Sequence, residues 1–328
     1  MREKLLPLGR KFAMLPDEIK AKYEHPYSLW SFGWSHGKEK LQGRPDFAKG
    51  SYYANPLENV PFEDEAIVKE WPTFAHPNIW PEEDMPELEP AFMKLGKLVV
   101  DVGMLVGKLC DEFVSKHTKD EKIITLLETI RKSKVTKARL LHYFSKTKKQ
   151  LELERESPRK GEDMFSSWCG WHNDHGSLTG LVPAIYFDDK SDQRLSCSPD
   201  PDAGLYIRSR RGRLVKATTP PGTSLLYQIG ETAQILSGGI MQATPHAVRG
   251  AGIPNISRTT FAVFMEPNFD EFMRAPKDRL PGDAQTTESA SKLPSGVPPI
   301  KIRWGTKECP FTTCNFGTFT KETLKHYH

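Results

Sequence analysis

Apolar residues in the first part of the chain follow a helical spacing. Between Glu87 and Val114 they recur every three or four residues, which places them along one stripe of a helix. The stripe consists of Leu88, Phe92, Leu95, Val99, Val102, Val106, Leu109 and Phe113. The segment therefore predicts one long helix whose stripe lies against the rest of the protein. A shorter helix is predicted from Pro16 and Asp17, because proline and acidic residues favour a first helical turn.

After about residue 136 the spacing changes. Short segments with β-branched residues or alternating apolar and polar positions follow one another and are separated by turn residues, which is typical of strands. The predicted strands are Ala138–Phe144, Leu178–Phe187, Gly204–Arg208, Arg213–Ala217, Ser224–Ile229, Gln234–Leu236, Ala243–Arg249 and Thr259–Met265. Many short strands at such spacing predict an antiparallel sandwich or barrel, and they argue against alternating β-α-β units.

Composition and charge exclude several classes of protein. The chain has 328 residues, of which 38% are hydrophobic and 27% charged, as in globular proteins. Its net charge is only +4, so no nucleic-acid partner is expected. The longest apolar stretch, Leu98 to Val106, is interrupted by Asp101 and is shorter than the ~18 residues of a membrane helix. No membrane insertion is expected, and the first twenty residues lack the apolar core of a signal peptide.

The cysteines do not form a recognisable framework. There are five, at positions 110, 169, 197, 309 and 314, without a CxxC pair or other zinc spacing. We therefore expect reduced cysteines and a cytoplasmic location. Since a chain of this length buries about 75% of its unfolded surface, it needs neither disulfides nor a structural metal to fold, and a metal site is free to be functional.

One constellation of residues predicts metal chemistry. His172 and Asp174 are two residues apart, so on a strand both side chains face the same side. His246, from a distant strand, supplies a possible third ligand. Two imidazoles and one carboxylate make the facial triad of non-haem Fe(II) sites, which leaves coordination positions open. From His172 and Asp174 alone, a structural hydrogen bond between them is an equally good interpretation.

A second pair uses the same spacing. Arg258 and Thr260 are also two apart on a predicted strand, so a guanidinium and a hydroxyl share one face. This pair suits the binding of a carboxylate.

These residues carry a resemblance to a known family. The sequence resembles the 2-oxoglutarate- and Fe(II)-dependent dioxygenases, specifically their isopenicillin N synthase-like branch, over roughly residues 8–268. The family pattern His-x-Asp-x-Gly-x-Leu-Thr is filled by His172, Asp174, Gly176, Leu178 and Thr179. Further segments that resemble the family in order are Leu141–Phe144, Gly204–Ile207, Gln228–Glu231, Leu236–Gly239 and Thr244–His246.

The resemblance implies a fold, a reaction and a set of site residues. The implied fold is mainly β with flanking helices, a double-stranded β-helix (jelly-roll) core with an N-terminal helical region packed on it. His172, Asp174 and His246 would bind Fe(II), and Arg258 with Thr260 would bind the co-substrate 2-oxoglutarate. His142 could approach the co-substrate, although packing is an equal alternative. The enzyme would use O2 to hydroxylate or otherwise oxidise a small organic molecule, with release of succinate and CO2.

Two alternatives remain open at this point. An Fe(II) oxidase of the same fold would not use 2-oxoglutarate, and a non-catalytic ligand-binding relative would have lost turnover. The sequence identifies neither the substrate nor the oligomeric state.

The chain is predicted to fall into three regions. Residues 1–135 would form the helical, substrate-lining region, residues 136–270 the jelly-roll core, and residues 271–328 a flexible loop with a short extension that packs back on the core. Candidates for the substrate pocket are Phe32, Trp34, His36, Lys49 and Tyr52. A packing role is the favoured interpretation for them, because aromatic residues dominate protein cores.

Overall fold

The computed structural model describes residues 1–38, 40–41, 44–120, 123–156, 168–209, 211–218, 224–285 and 297–326. Within these ranges the fold is mainly antiparallel sheet with flanking helices. The strands are β1 (Gly33–His36), β2 (Lys40–Leu41), β3 (Arg44–Pro45), β4 (Lys49–Ala54), β5 (Lys137–Tyr143), β6 (Cys169–His172), β7 (Leu178–Asp188), β8 (Gln193–Leu195), β9 (Gly204–Arg208), β10 (Leu214–Lys216), β11 (Leu226–Ile229), β12 (His246–Arg249) and β13 (Ile256–Met265).

The helices lie at both ends of the chain and between the strands. They are α1 (Arg2–Ala13), α2 (Asp17–Ala21), α3 (Glu65–Glu70), α4 (Pro72–Ala75), α5 (Leu88–Ser115), α6 (Leu126–Lys132), α7 (Lys148–Glu156), α8 (Glu231–Leu236), α9 (Pro281–Gln285) and α10 (Phe316–Leu324).

Two antiparallel sheets form the body of the fold. The larger sheet has the order β1-β4-β5-β13-β7-β11, with β8 paired to β7, and the smaller has the order β10-β9-β12-β6. This confirms the predicted jelly-roll fold with a helical N-terminal region. The N-terminal region also contributes strands, because β1 and β4 continue the large sheet beyond β5. The division at residues 135 and 270 stays a prediction.

The two faces of the large sheet have different neighbours. On β5, Leu140 belongs to the core that helices α1 and α5 share, while Leu141 and Tyr143 belong to a separate apolar cluster with Val248 of the small sheet. Side chains along a strand alternate between faces. One face of the sheet is therefore covered by helices, and the other encloses the interior of the jelly roll.

Helix α1 approaches the helix-covered face unusually closely at Gly9. A Cβ atom at this position would lie 2.8 Å from Cγ of Leu140 and 2.9 Å from Cγ2 of Thr259. Both distances are shorter than carbon atoms tolerate, so the approach requires glycine here.

The long helix was predicted correctly as an element, but its buried stripe was predicted too long. Leu88, Phe92, Leu95 and Val99 are buried against the sheet, whereas Leu109 and Phe113 are 64% and 49% exposed. Toward its C-terminal end the helix instead presents Gly103 and Gly107 to its neighbours. A Cβ on Gly103 would lie 2.4 Å from Sδ of Met265, so this point of close approach requires glycine. Near the end of the helix the buried apolar residue is Val114, which packs with Ala233 of α8.

Two other expectations about local structure were wrong. The segment Gln234–Leu236 was predicted as a strand but belongs to helix α8, whose residues are all buried. Asp174 was placed on a strand with His172, yet β6 ends at His172 and Asp174 lies in the loop that follows.

The C-terminal extension contacts helices α4 and α8 through apolar side chains. Trp304, Phe316 and Phe319 are buried in an apolar cluster with Phe74 of α4 and Ile235 of α8. Residues 286–296, which belong to the predicted flexible loop, lie outside the described part of the chain.

A buried ion pair fixes the extension to α8. Arg303 donates to both carboxylate oxygens of Glu231, at 2.7 Å each, and the two side chains are 1% and 2% exposed. Arg303 also donates to the carbonyl of Pro298 and to the hydroxyl of Thr323. The fork geometry of the guanidinium matches the carboxylate, so the pair ties the extension to the strand-helix region around residue 231.

The expectation that all cysteines are reduced was wrong for one pair. Cys309 and Cys314 are joined by a disulfide, with their Cα atoms 4.6 Å apart, while Cys110, Cys169 and Cys197 are free thiols. The cytoplasmic location stays a prediction. Among the described residues, no helix has the length and apolar character needed to span a bilayer.

Candidate metal centre and its two cavities

Two histidines meet where β6 ends and β12 begins. His172 is the last residue of β6 and His246 the first of β12. The two strands are antiparallel neighbours, and His246 lies opposite His172 in their register. Their rings are 4.1 Å apart between centroids. The pairing of two strands that are far apart in sequence thus brings the imidazoles together.

Both imidazoles are oriented by backbone carbonyls. Nδ1 of His172 lies 2.8 Å from the carbonyl oxygen of Gly170, and Nδ1 of His246 lies 3.1 Å from that of Thr244. A carbonyl accepts only, so each Nδ1 carries a proton, and Nε2 is the nitrogen left to bind a metal. This is the arrangement that orients metal-ligating histidines in proteins.

The carboxylate of Asp174 completes the cluster. Its Oδ2 accepts hydrogen bonds from Oγ1 of Thr179, at 2.7 Å, and from the side-chain amide of Gln228. Its Oδ1 lies 3.7 Å from Nε2 of His172 and 3.7 Å from Nε2 of His246. One oxygen is therefore held by the protein, and the other faces the two imidazole lone pairs.

The loop that carries Asp174 is fixed by the start of α8. The backbone N–H of Glu231 donates to the carbonyl of Asp174 at 2.8 Å, and that of Thr232 donates to the carbonyl of Gly176 at 3.1 Å. The amide of Asn173 donates to the Glu231 carboxylate at 3.2 Å. Through Glu231 and its partner Arg303, the C-terminal extension supports the loop beside the histidines.

Electrostatics favour the protonation states that metal binding needs. Burial raises the pKa of the Asp174 carboxyl, but the imidazoles of His246 and His172 and the hydrogen bonds from Thr179 and Gln228 outweigh it and hold that pKa below its usual value. Burial and the neighbouring His172 lower the pKa of His246. Near neutral pH the cluster accordingly contains an ionised carboxylate and a neutral His246, the forms that coordinate metals.

The predicted triad is therefore brought together. The ligand atoms of His172, Asp174 and His246 all lie within 4.8 Å of one another. Among the residues that the structure describes, no other group of three or more histidine, cysteine or acidic side chains brings its ligand atoms this close together. The donor set of two imidazole nitrogens and one carboxylate oxygen fits Fe(II) with open positions. The side-chain amide of Gln228 lies 3.1 Å from Nε2 of His246, so a metal at this point competes with Gln228 for that nitrogen.

Arg258 and Thr260 line a cavity that reaches this cluster. The cavity, here called the arginine cavity, has a volume of about 350 Å³ and is lined by His172, Asp174, His246, Arg258 and Thr260, among others. Both residues of the pair lie on β13 and are buried. The shared face predicted from their spacing is thus the face toward the jelly-roll interior.

The two side chains differ in how free they are to bind a ligand. Nε and Nη1 of Arg258 are buried, and no described residue accepts a hydrogen bond from them; its guanidinium lies 5.0 Å from the ring centroid of Tyr143. Thr260, by contrast, donates its hydroxyl proton to the carbonyl of Val182 at 2.7 Å. A buried donor without an acceptor is costly, so Arg258 is the side chain prepared for an anion.

His142 lies away from this cavity. It alternates on β5 with Leu141 and Tyr143, which line the arginine cavity, and so points to the helix-covered face. Its Nδ1 lies 2.9 Å from Oγ1 of Thr259, and its side chain is buried. Packing, the alternative interpretation, is the one that this position supports.

A second cavity meets the cluster from another side. This aromatic cavity has a volume of about 280 Å³, and its aromatic walls come from Trp30, Tyr53, Phe74, Trp171 and Phe264. It shares His172 and Asp174 with the arginine cavity. A ligand in either cavity therefore reaches the same pair of side chains.

The substrate-pocket candidates are mostly core residues. Trp34 and Tyr52 are buried in the main apolar core, Phe32 is buried, and His36 contacts Phe47 and Phe144. Lys49 does line the aromatic cavity, where it is paired with Asp46.

Sequence reasoning missed four polar residues at the site. Thr179 and Gln228 hold the Asp174 carboxylate, and both lie in segments that resemble the family, which was the available signal. Lys137 and Glu266 line the aromatic cavity, but each lies one residue outside a predicted strand, with no motif around it.

Comparisons with known proteins identify the fold. No family model matches the sequence. A search of curated proteins found no match either. The structure is similar to that of a full-length Neurospora crassa protein in complex with alpha-KG, at 19% identity and a TM-score of 0.62, covering 99% of this chain and 82% of that one. That Neurospora protein has also been crystallised with alpha-KG and thymine.

Two further solved structures agree with this result. A putative 2OG-Fe(II) oxygenase family protein from Caulobacter crescentus has 16% identity and a TM-score of 0.61, with 98% of this chain and 84% of that chain covered. JOX2, in complex with 2OG, Fe and JA, has 15% identity and a TM-score of 0.55, with 100% and 77% covered. The chain therefore has the fold of the 2-oxoglutarate- and Fe(II)-dependent oxygenases.

Proposed function

We propose that this protein is a non-haem Fe(II)- and 2-oxoglutarate-dependent oxygenase that oxidises a small organic molecule. The observation that carries the proposal is the convergence of His172, Asp174 and His246, with ligand atoms within 4.8 Å of one another, at a cavity that also contains the buried guanidinium of Arg258. Solved structures of similar fold contain 2OG, Fe or both.

The three cluster residues would hold the iron. Each imidazole would bind the metal through Nε2, because its Nδ1 is hydrogen-bonded to a backbone carbonyl. Asp174 would bind through Oδ1, because its Oδ2 accepts hydrogen bonds from Thr179 and Gln228. Three protein ligands leave positions open for the co-substrate and O2. When bound, iron and 2-oxoglutarate together supply the oxidising chemistry, with release of succinate and CO2.

Arg258 would hold the far carboxylate of 2-oxoglutarate. Its Nε and Nη1 have no acceptor among the described residues, and a carboxylate would satisfy buried donors through charge-assisted hydrogen bonds. Thr260 can join only if its hydroxyl leaves the carbonyl of Val182, so its contribution is secondary. His142 has no part in this proposal.

The remaining residues would position the reactants and exclude water. The aromatic cavity meets the cluster at His172 and Asp174, so a substrate held there lies beside the metal while the co-substrate lies in the arginine cavity. Fixing the reacting groups in this way lowers the entropic barrier, and closing the site to water limits side reactions.

The retained guanidinium favours 2-oxoglutarate use over the alternative of an Fe(II) oxidase without it. Its buried donors lack an acceptor among the described residues until an anion binds. An intact cluster likewise favours an enzyme over a non-catalytic relative.

Anaerobic calorimetry tests the proposal. The protein is titrated with Mn(II), then with 2-oxoglutarate, and succinate is measured when Fe(II) and O2 are supplied. We expect one metal site, metal-dependent binding of 2-oxoglutarate, and slow succinate formation even without a substrate. Absence of metal binding would exclude the oxygenase, and metal binding without 2-oxoglutarate binding would favour the oxidase.

A further inference from the structure

The floor of the aromatic cavity contains an opposite-charge pair that the proposed reaction does not use. Lys137 lies opposite Phe264 in the register of β5 and β13, and Glu266 is two residues beyond Phe264. All three side chains therefore lie on one face of the sheet, and all three line the aromatic cavity. Lys137 and Glu266 are 8% and 6% exposed.

The side chains of Lys137 and Glu266 do not contact each other. They form no direct ion pair, and no hydrogen bond from a described residue reaches the Glu266 carboxylate, whose near neighbour is Nε2 of His175 at 3.7 Å. Lys137 donates to the carbonyl of Thr73, and its ammonium lies 3.7 Å from the ring centroid of Phe32. An ammonium has three donors, so Lys137 retains donors beyond that bond.

The other charged residues of the cavity already have partners. Lys49 is paired with Asp46, and Lys38 is paired with Glu24. Arg139 donates to the hydroxyl of Ser51 at 2.9 Å. Lys137 and Glu266 are thus the pair that can still form hydrogen bonds with a ligand in the cavity.

Burial shifts both groups toward their neutral forms. It lowers the pKa of Lys137 and raises the pKa of Glu266, and the charge of each group opposes the shift of the other. Whether the pair is ionised or neutral, it offers a donor at Lys137 and an acceptor at Glu266.

This arrangement selects for ligands that carry a donor beside an acceptor. The pair has no net charge whether both groups are ionised or both are neutral, so a purely anionic or a purely cationic ligand would add an uncompensated charge to this buried site. An uncompensated buried charge is strongly unfavourable. A neutral group with a carbonyl oxygen next to an N–H satisfies both.

The walls and volume restrict the rest of the ligand. Aromatic side chains from Trp30, Tyr53, Phe74 and Trp171 line the cavity, and rings favour stacked or edge-on contact with other rings. A volume of about 280 Å³ is at the small end of ligand pockets. Both features favour a compact planar ring.

We propose that the aromatic cavity binds a small planar cyclic amide, whose carbonyl oxygen accepts a hydrogen bond from Lys137 and whose N–H donates to Glu266. The inference rests on the proposed function in taking this ligand as the substrate, since the cavity meets the cluster at His172 and Asp174.

Three ring compounds of similar size test the proposal. 2-Pyridone carries the amide edge, benzoate an anion and benzylamine a cation. Each is titrated by calorimetry into the protein loaded with Mn(II) and 2-oxoglutarate under anaerobic conditions. We expect 2-pyridone to bind at least tenfold more tightly than the other two. Tighter binding of benzoate or benzylamine, or no binding of any of the three, would overturn the proposal.

Two variants locate the binding. Lys137→Met removes the donor and Glu266→Met removes the acceptor, so each should weaken 2-pyridone binding by about tenfold or more. The surface pair Lys146 and Glu154, joined at 2.7 Å, supplies matched controls: Lys146→Met and Glu154→Met should leave the affinity unchanged. Unchanged affinity in the cavity variants would also overturn the proposal. The comparison of the three probes uses the unmodified protein, so it decides the proposal even if a variant does not fold.

The result is separable from the proposed function. Mn(II) binding and 2-oxoglutarate binding are measured in the same titrations of the unmodified protein. If neither binds, the oxygenase proposal fails, and the probes are then compared on the metal-free protein to decide the amide proposal. If both bind while 2-pyridone does not, the amide proposal alone fails.

Discussion

His172 and His246 face each other across the antiparallel pair of β6 and β12, with their ring centroids 4.1 Å apart. Replacing His246 with alanine removes one of the two imidazole donors. We expect Mn(II) affinity to fall by more than the ~10–100-fold typical of losing an outer-shell partner, and metal-dependent decarboxylation of 2-oxoglutarate to disappear. Calorimetry with Mn(II) measures the first effect. The exposed His117 provides the control His117→Ala, and equal metal affinity in both variants would remove His246 from the site.

Replacing Arg258 should separate co-substrate binding from metal binding. In Arg258→Ala the two buried donors at Nε and Nη1 no longer meet a carboxylate. We expect the dissociation constant of 2-oxoglutarate to rise by roughly 10–100-fold, as hydrogen bonds to charged groups contribute about 1.5–3 kcal/mol. Mn(II) affinity should be unchanged. Arg131→Ala on the exposed face of α6 is the matched control. If 2-oxoglutarate binds Arg258→Ala as tightly as the native protein, the arginine does not hold it.

The ion pair between Arg303 and Glu231 should matter for stability mainly when one partner is lost. Arg303→Met leaves the Glu231 carboxylate buried without its cation, so the free energy of unfolding should fall by about 3–5 kcal/mol. The double variant Arg303→Met/Glu231→Gln should lose less, because no charge is left uncompensated. Urea unfolding measures both. The surface pair Lys325 and Glu322 gives the control Lys325→Met, with a loss below about 1 kcal/mol. A double variant no more stable than the single one would contradict this account.

Acid should destabilise the protein through His142. Burial lowers the pKa of this imidazole to about 3, so the unfolded chain binds a proton near pH 6.5 and the folded one does so only near pH 3. Stability therefore falls as pH falls through this window. His142 alone should cost about 3 kcal/mol between pH 7 and pH 4. Urea midpoints at several pH values for the native protein and for His142→Phe check this. The variant should have the shallower slope below pH 6.5, and parallel slopes would rule out His142 as the cause.

Much of the fold and the metal cluster could be predicted because local pattern and tertiary pairing agree there. The segments that become β5, β7, β9 and β13 alternate or carry β-branched residues, and each is paired on at least one side. His172, Asp174 and His246 were recognisable because their residue types and order match a family pattern. Their proximity depends on the register between β6 and β12, which no local pattern encodes.

The errors have physical reasons. Gln234–Leu236 is too short for periodicity to decide, and the start of α8 depends on its contacts with the loop at Asp174. Spacing predicted the stripe on α5 but not how far the sheet beneath it extends, so Leu109 was placed in the core. His142 could be placed only once the register set Tyr143 opposite Arg258 and His142 opposite Thr259.

The close approach of α1 at Gly9 has a consequence for exchange with solvent. Because the helix backbone lies almost directly on Leu140 and Thr259, no water fits between α1 and the sheet at this point. A helix of 12 residues is marginal in water on its own, so deuterium uptake by the α1 amides reports how often the helix detaches from the sheet. A larger residue at position 9 should speed exchange in α1, while the amides of β5 stay protected by their hydrogen bonds to β4 and β13.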